Sequence, residues 1–349
     1  MTANLVAALH GPGDVRLETR PLPSLGERDV LVEVRSVGVC GSDVHYYEHG
    51  RIGAFVVESP LVLGHEVSGI VVDRGSRVAK HPIGERVALE PGVPCGRCAE
   101  CRHGLYNLCS DVRFFATPPV DGAFARYVAI HEDYAFALPD DLSDDAGALL
   151  EPLSVGIWAC RKGGVGLGDR VLVTGAGPIG NLAMQVARAA GATTLVIADV
   201  NGDRLARATE LGATGTIDLN ERRLVPHDGP FDVLLECTGA EAVVQDAILT
   251  LRPAGSAVLV GMGPGLQAQL PVAAMQSREI TLVGTFRYAN TYATAIALAA
   301  AGRVELDGLV DARFPLEEVD QALRAGRENP AWVKVVVDVQ SGTAAPIAT

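Results

Sequence analysis

What the 349-residue chain lacks narrows its class before any motif is read. It contains no apolar run of the roughly 18–20 residues that a membrane-crossing helix needs. It also has no Lys/Arg-rich run. Basic residues number 29 against 42 acidic ones, a formal charge of −13, which argues against nucleic acid and anionic membrane as partners. The opening stretch, MTANLVAALHGPGDV, lacks a charged segment followed by an apolar one, so no signal peptide is expected there. Histidine is nearly missing from the second half: of eight, only His227 lies beyond residue 131. Disordered composition is absent as well, with 48% apolar and 20% charged residues. A soluble, cytoplasmic, globular protein of two or three domains is expected. In that compartment the seven cysteines, Cys40, Cys95, Cys98, Cys101, Cys109, Cys160 and Cys237, should be thiols or thiolates.

Residues 1–150 read as short strands broken by Gly and Pro, among them DVLVEVRSVGV, LGHEVSGIVVDRG and GERVALEP, which predicts an irregular, barrel-like β domain. From about residue 155 strands alternate with helices: DRVLVTGAG, PIGNLAMQVARAAGA, TTLVIADV, NGDRLARATELGA, and onward through FDVLLECTG, SAVLVGM and EITLVGTF. That alternation predicts an α/β unit, a doubly wound parallel sheet of about six strands. WVKVVVDV near the end alternates like the N-terminal strands and is expected to return to the first domain. The expected division is 1–154, 155–288, and a return segment 289–349 whose Ala-rich last nine residues fray.

VLVTGAGPIGNLAMQVARAAGATTLVIADV places Gly175, Gly177 and Gly180 between a strand and a helix. G-x-G-x-x-G in that position is a dinucleotide fingerprint: one glycine for the turn, one for backbone approach to a pyrophosphate, one for close packing. Pro178 suits the first helical turn, and the free N–H groups about Pro178, Ile179 and Gly180 suit phosphate. Asp199 ends the next strand, where an acid binds ribose hydroxyls and repels a 2′-phosphate; NAD is favoured over NADP. Arg204, one turn on, could instead pair with a phosphate. Val260, Gly261 and Met262, with Thr285, Phe286 and Arg287, follow later strands, where the nicotinamide end of the cofactor is expected.

CGRCAECRHGLYNLC holds Cys95, Cys98, Cys101 and Cys109 as C-x2-C-x2-C-x7-C. Four thiolates on one tight loop match a closed tetrahedral zinc site that staples structure and does no chemistry. The iron–sulfur alternative ends its run in C-x3-C-P, which is not found here. A second group is scattered: Cys40, His65 and Glu66 in GHE, and Glu151 in EP. Taken singly, each has an ordinary reading as a core thiol, a loop histidine or a surface acid.

Together these motifs resemble the zinc-dependent medium-chain alcohol dehydrogenases, over nearly the whole chain. CGSDVHYYEHGRIG at 40–53, LGHEVSG at 63–69, LEPLSVGIWA at 150–159, GAGPIG at 175–180 and GTFRYANTY at 284–292 carry the resemblance, and the subgroup it points to is the sorbitol/xylitol (polyol) dehydrogenases. The resemblance implies a GroES-like catalytic domain and a Rossmann NAD-binding domain. It makes Cys40, His65 and Glu66 ligands of a catalytic zinc, with Glu151 bonding the metal's water or approaching the metal itself. It implies a proton relay through Ser42 and His45. Tyr46, Arg287 and Tyr288 become candidate partners for substrate hydroxyls, joined there by Glu151. One catalytic and one structural zinc per chain, NAD, a polyol substrate and a homotetramer follow from it. Asp43, Tyr47, Glu48 and His49 are left as packing or surface residues. The rival expectations are a dehydrogenase of a vicinal diol, a sugar or threonine, and a non-catalytic NAD-binding zinc protein.

Overall fold

The computed structural model describes residues 3–263 and 267–340. The expected fraying of residues 341–349 lies outside the described residues. Two compact units emerge: one runs up to Glu151 and resumes at Leu306, and the other comprises Pro152–Glu305.

The first unit is built on a seven-stranded sheet. Its order is Ala135–Ala137, Arg86–Leu89, Glu66–Arg74, Asp29–Gly38, Lys334–Asp338 and Val310–Pro315, with Tyr127–His131 also pairing with Asp29–Gly38. The long Asp29–Gly38 strand shares one edge between two partners. Its first half pairs with Tyr127–His131, and its last three residues pair with the return strand, Gly38 opposite Val336. Val30, Val32, Val34 and Val37 of this strand are fully buried, as are Val71, Val87 and Leu89 beside it, so the sheet is the spine of the apolar core.

The expectation of an all-β unit overlooks the Gly41–His49 helix, whose sequence SDVHYYEH shows no broad apolar face. Its ends hold it instead. The Asp43 carboxylate accepts the Cys40 N–H at 3.0 Å, and Gly50 closes the helix in the left-handed region at φ 67°, its N–H bonded to the Tyr46 carbonyl. The helix is then tied to the Val319–Glu328 helix. Tyr47 donates its hydroxyl to Asp320 at 2.7 Å, and Arg327 pairs with Glu48 at 2.6 Å. Tyr47 and Glu48 therefore fasten the segment that carries Cys40.

The second unit is a six-stranded parallel sheet in the order Gly215–Asp218, Thr194–Asp199, Arg170–Thr174, Phe231–Glu236, Leu251–Leu259, Thr281–Gly284. Strand order reverses between Arg170–Thr174 and Phe231–Glu236, the position at which such sheets bind dinucleotides. This unit continues beyond the expected boundary at 288. Arg161 donates to the Asn290 carbonyl and to Thr294 Oγ1, both at 2.9 Å, and Gln185 and Glu305 exchange two hydrogen bonds, so the Tyr292–Ala300 helix stays with the parallel sheet.

Candidate active site

Four sulfurs in the first unit come from one short loop. Those of Cys95, Cys98, Cys101 and Cys109 lie within 4.8 Å of one another. The backbone shapes the nest: the N–H groups of Cys95, Cys98 and Cys101 point at the sulfurs of Cys109, Cys95 and Cys98, each at 3.4 Å. N–H groups of Arg97 and Cys98 bring Cys95 down to about 6. Cys98 is pushed up to about 12: the Cys101 N–H lowers it, but the Cys101 thiol, burial and other neighbours outweigh that pull. Several thiolates crowded together resist ionising jointly, and a divalent cation removes the conflict. The donors fit zinc.

A second group gathers from three places. Cys40 caps the Gly41–His49 helix, His65 sits in the loop before a sheet strand, and Glu66 opens that strand. Their donor atoms also lie within 4.8 Å of one another. His65 is 7% exposed and Glu66 1%, so two of the three donors are nearly closed to water. Asp43 sits beneath them, fully buried. One carboxylate oxygen accepts the Cys40 N–H, and the other accepts the Gly64 N–H at 2.9 Å and stands 3.5 Å from His65 Nδ1. Burial opposes a charge on Asp43, but His65 and the two backbone donors outweigh it and hold its carboxyl below the usual range. Burial likewise opposes a charged His65, yet Asp43 and Cys40 outweigh it and hold its pKa well above the ordinary value. The field at this cluster calls for a cation. A thiolate, an imidazole oriented by a carboxylate and a second carboxylate make a three-donor set that fits zinc with a position left open.

Lys334, 2% exposed, reaches the cluster from the return strand. Its ammonium pairs with Glu66 Oε2 and donates to the Val39 carbonyl at 2.9 Å. Burial works against its charge, but Glu66, Cys40 and Glu151 outweigh burial and raise its pKa. Glu151, 5% exposed on the Asp144–Gly163 helix, is not one of the three clustered donors. Buried Glu90 belongs to the same neighbourhood. It accepts the Tyr106 hydroxyl at 2.7 Å and is pushed up to about 7, chiefly by burial and further by Glu151, against the pull of Tyr106.

On the Gly41–His49 helix Ser42 is half-buried, His45 is exposed and Tyr46 is buried. The rings of His45 and His49 meet edge to face at 4.6 Å. Asp43, Lys334 and Glu90 were missed as site residues. Asp43 could have been found as an acid at the third helical position after Cys40, a capping place. Lys334 could have been found as a lone charge in a run of valines.

In the second unit Gly175 turns at φ 89°, and a Cβ on Gly180 would lie 1.7 Å from the Gly175 carbonyl oxygen. Gly177 faces open space, the Arg204 guanidinium being its one neighbour at 3.9 Å. Pro178 and Ile179 begin the Pro178–Ala189 helix directly after the glycine turn, with Gly177 as its N-cap. Asp199 lies at the adjacent strand end, its oxygens accepting the Ala176 N–H at 2.5 Å and the Asn201 N–H at 2.8 Å. Val260, Gly261 and Met262 follow one strand; Thr285, Phe286 and Arg287 follow the next. Thr285 is bonded back to the Leu259 carbonyl, and the Arg287 guanidinium lies over the Phe286 ring at 4.9 Å. Arg287 itself sits in the left-handed region at φ 52°, and Tyr288 is buried beside Tyr292. The residues fit a dinucleotide.

Zinc-ready donors on one unit and a dinucleotide fold on the other are the division of labour of a zinc-binding dehydrogenase. Residues 26–140 match the alcohol dehydrogenase GroES-like domain, and residues 178–301 match the zinc-binding dehydrogenase family. Rat sorbitol dehydrogenase is 46% identical over 335 residues, 93% of each chain. The crystal structure of Escherichia coli L-idonate 5-dehydrogenase superposes with a TM-score of 0.91 at 32% identity, over 97% of this chain and 98% of that one. A zinc-binding dehydrogenase of Sinorhizobium meliloti bound to NADP superposes with a TM-score of 0.89 at 31% identity, over 97% of this chain and all of that one. The chain belongs to the zinc-dependent medium-chain alcohol dehydrogenase family, with sorbitol dehydrogenases among its full-length relatives.

Proposed function

We propose that this protein is a zinc-dependent polyol dehydrogenase that oxidises a secondary hydroxyl of a sorbitol- or xylitol-type substrate to a ketone, with NAD as acceptor. The observation that carries the reading is the Cys40–His65–Glu66 donor set, its histidine and glutamate buried, in a chain 46% identical to rat sorbitol dehydrogenase over 93% of its length. Zinc bound there supplies Lewis acidity that eases loss of the hydroxyl proton, and NAD bound to the parallel-sheet unit supplies the hydride acceptor.

The remaining tasks fall to the chain's own side chains. Converting the alcohol to a ketone releases one hydride and one proton, so the proton needs its own exit. Half-buried Ser42 and exposed His45, three residues apart on one helix, suit the inner and outer ends of that exit. Cys40, His65 and Glu66 hold the metal, and Asp43 holds the imidazole. Glu151 is assigned to the water or hydroxyl at the open position. Tyr46, Arg287 and Tyr288 are assigned to the other hydroxyls of the polyol; a site built to bond hydroxyls rejects substrates that lack them. Asp199 selects NAD over NADP, while Arg204 beside Gly177 suits the pyrophosphate. Cys95, Cys98, Cys101 and Cys109 hold a second, structural zinc. We assign the assembly as a homotetramer in the cytoplasm, testable by light scattering and by fractionation. No helix among the described residues is long and apolar enough to cross a membrane.

The test is purified protein assayed by NADH absorbance with xylitol, sorbitol, L-threonine, a vicinal diol, L-idonate and a simple primary alcohol, and with NADP in place of NAD. Fastest turnover of a polyol with NAD is expected. Activity confined to threonine or a simple primary alcohol would overturn the substrate class.

A further inference from the structure

We infer that Lys334 is a positioning residue that restricts Glu66 to one donor oxygen and thereby keeps a coordination position open at the metal. The inference rests on reading Cys40, His65 and Glu66 as a zinc site. The chain makes room for the pair. Opposite Val336 of the return strand stands Gly38, where a Cβ would lie 1.9 Å from Glu66 Oε2 and 2.9 Å from Lys334 Cε. Asp311 accepts the backbone N–H groups of Val333 and Lys334, at 2.5 and 3.1 Å, so the start of the strand is fixed. With Nζ shared between Glu66 Oε2 and the Val39 carbonyl, and the side chain 1% exposed, the lysine has nowhere else to go.

Charge and denticity explain what the pair accomplishes. A Cys40 thiolate and a Glu66 carboxylate together cancel the two charges of zinc. An unrestrained carboxylate also has two oxygens to offer, and the second would fill the place a substrate must take. Lys334 occupies Oε2, leaves Oε1 as the free donor, and returns one positive charge to the site. A buried ion pair is a poor way to gain stability, since apolar replacements are often neutral or better. Control of a metal ligand accounts for its presence where stability does not.

The experiment uses holoprotein of the wild type, Lys334→Met and Lys334→Arg. It reads release of zinc to excess dipicolinate and the visible spectrum after cobalt exchange. Cys40→Ser identifies the phase that belongs to the Cys40 cluster. In Lys334→Met, Glu66 is free to chelate. Zinc of that phase should leave more slowly, the cobalt bands should weaken as coordination number rises, and kcat should fall while metal is retained. Lys334→Arg should return all three towards wild type. If Lys334→Met does not fold, Lys334→Gln, which keeps length without charge, carries the same readings. Faster zinc loss, or unchanged release with an unchanged cobalt spectrum, would overturn the inference. If wild type and Cys40→Ser release zinc identically, the zinc site itself is misassigned and the inference falls with it.

Discussion

The two donor clusters of the first unit are built in opposite ways. Cys95, Cys98, Cys101 and Cys109 come from fifteen consecutive residues, and their partners come from the same loop: its own backbone N–H groups and the Glu100 carboxylate beside Cys98. Cys40, His65 and Glu66 come from a helix cap, a loop and a strand, and their surroundings are charged side chains delivered from elsewhere: Asp43 below and Lys334 from the return strand. A cluster made by local backbone can hold a metal but offers it nothing else. A cluster assembled from distant elements can be tuned, because each neighbour is a separate lever on charge, orientation and open space. The lobe suits stapling and the buried site suits chemistry for that reason.

The sharpest way to break this contrast is to exchange one cysteine in each cluster. Cys40→Ser should lower kcat by about a thousandfold or more, with the thermal midpoint little changed, because the proposed catalytic zinc would lose a ligand. Cys98→Ser should do the reverse, lowering the melting temperature before it touches the chemistry. Turnover and thermal unfolding of both variants decide it; near wild-type kcat in Cys40→Ser would remove the distinction. Next in size is Asp43→Asn. It should cost about 10–100-fold in zinc affinity or turnover, the usual effect of losing the partner of a ligating histidine.

Asp199→Ala tests the other unit and should weaken NAD binding more than NADP binding, read by titration of protein fluorescence with each cofactor; the opposite order would reverse the assigned preference. The smallest effect concerns Glu90, which accepts the Tyr106 hydroxyl of the lobe and feels the charge of Glu151. Its carboxyl is raised from 4.5 to about 7, so the folded metal-free protein keeps a proton there that the unfolded chain has lost. Stability from this group is therefore full below pH 4.5 and is lost as pH rises through 7, by on the order of 3 kcal/mol at most. Glu90→Gln should flatten that fall between pH 4.5 and 7 in urea unfolding of the metal-free protein.

The same contrast explains what could be read without coordinates. The lobe is legible because its chemistry is written in spacing: C-x2-C-x2-C-x7-C leaves few alternatives. The parallel sheet is legible because strand and helix periods alternate and glycines stand at the one turn that needs them. The second cluster was legible only through likeness to known dehydrogenases, since Cys40, His65 and Glu66 follow no local pattern. Its supports were not legible at all. Lys334 meets Glu66 only because the return strand pairs Val336 with Gly38, a register fixed by the whole sheet. The Gly41–His49 helix was hidden for a related reason: caps and the Tyr47–Asp320 and Glu48–Arg327 pairs hold it, and an apolar stripe does not. The boundary near residue 288 was misplaced because the hydrogen bonds that retain the Tyr292–Ala300 helix reach back to Arg161 and Gln185, far off in the chain.

The return strand carries one further consequence, for synthesis on the ribosome. The four-cysteine lobe has all its donors as soon as Cys109 has emerged, more than two hundred residues before the return strand is complete. The Cys40 cluster has its three donors by Glu66, yet the strand that brings its lysine is made only at Lys334–Asp338. A nascent chain therefore passes through a long stage in which the lobe has all its donors while the Cys40 cluster still lacks its lysine, and the proposed centre is completed only after the return strand has been made.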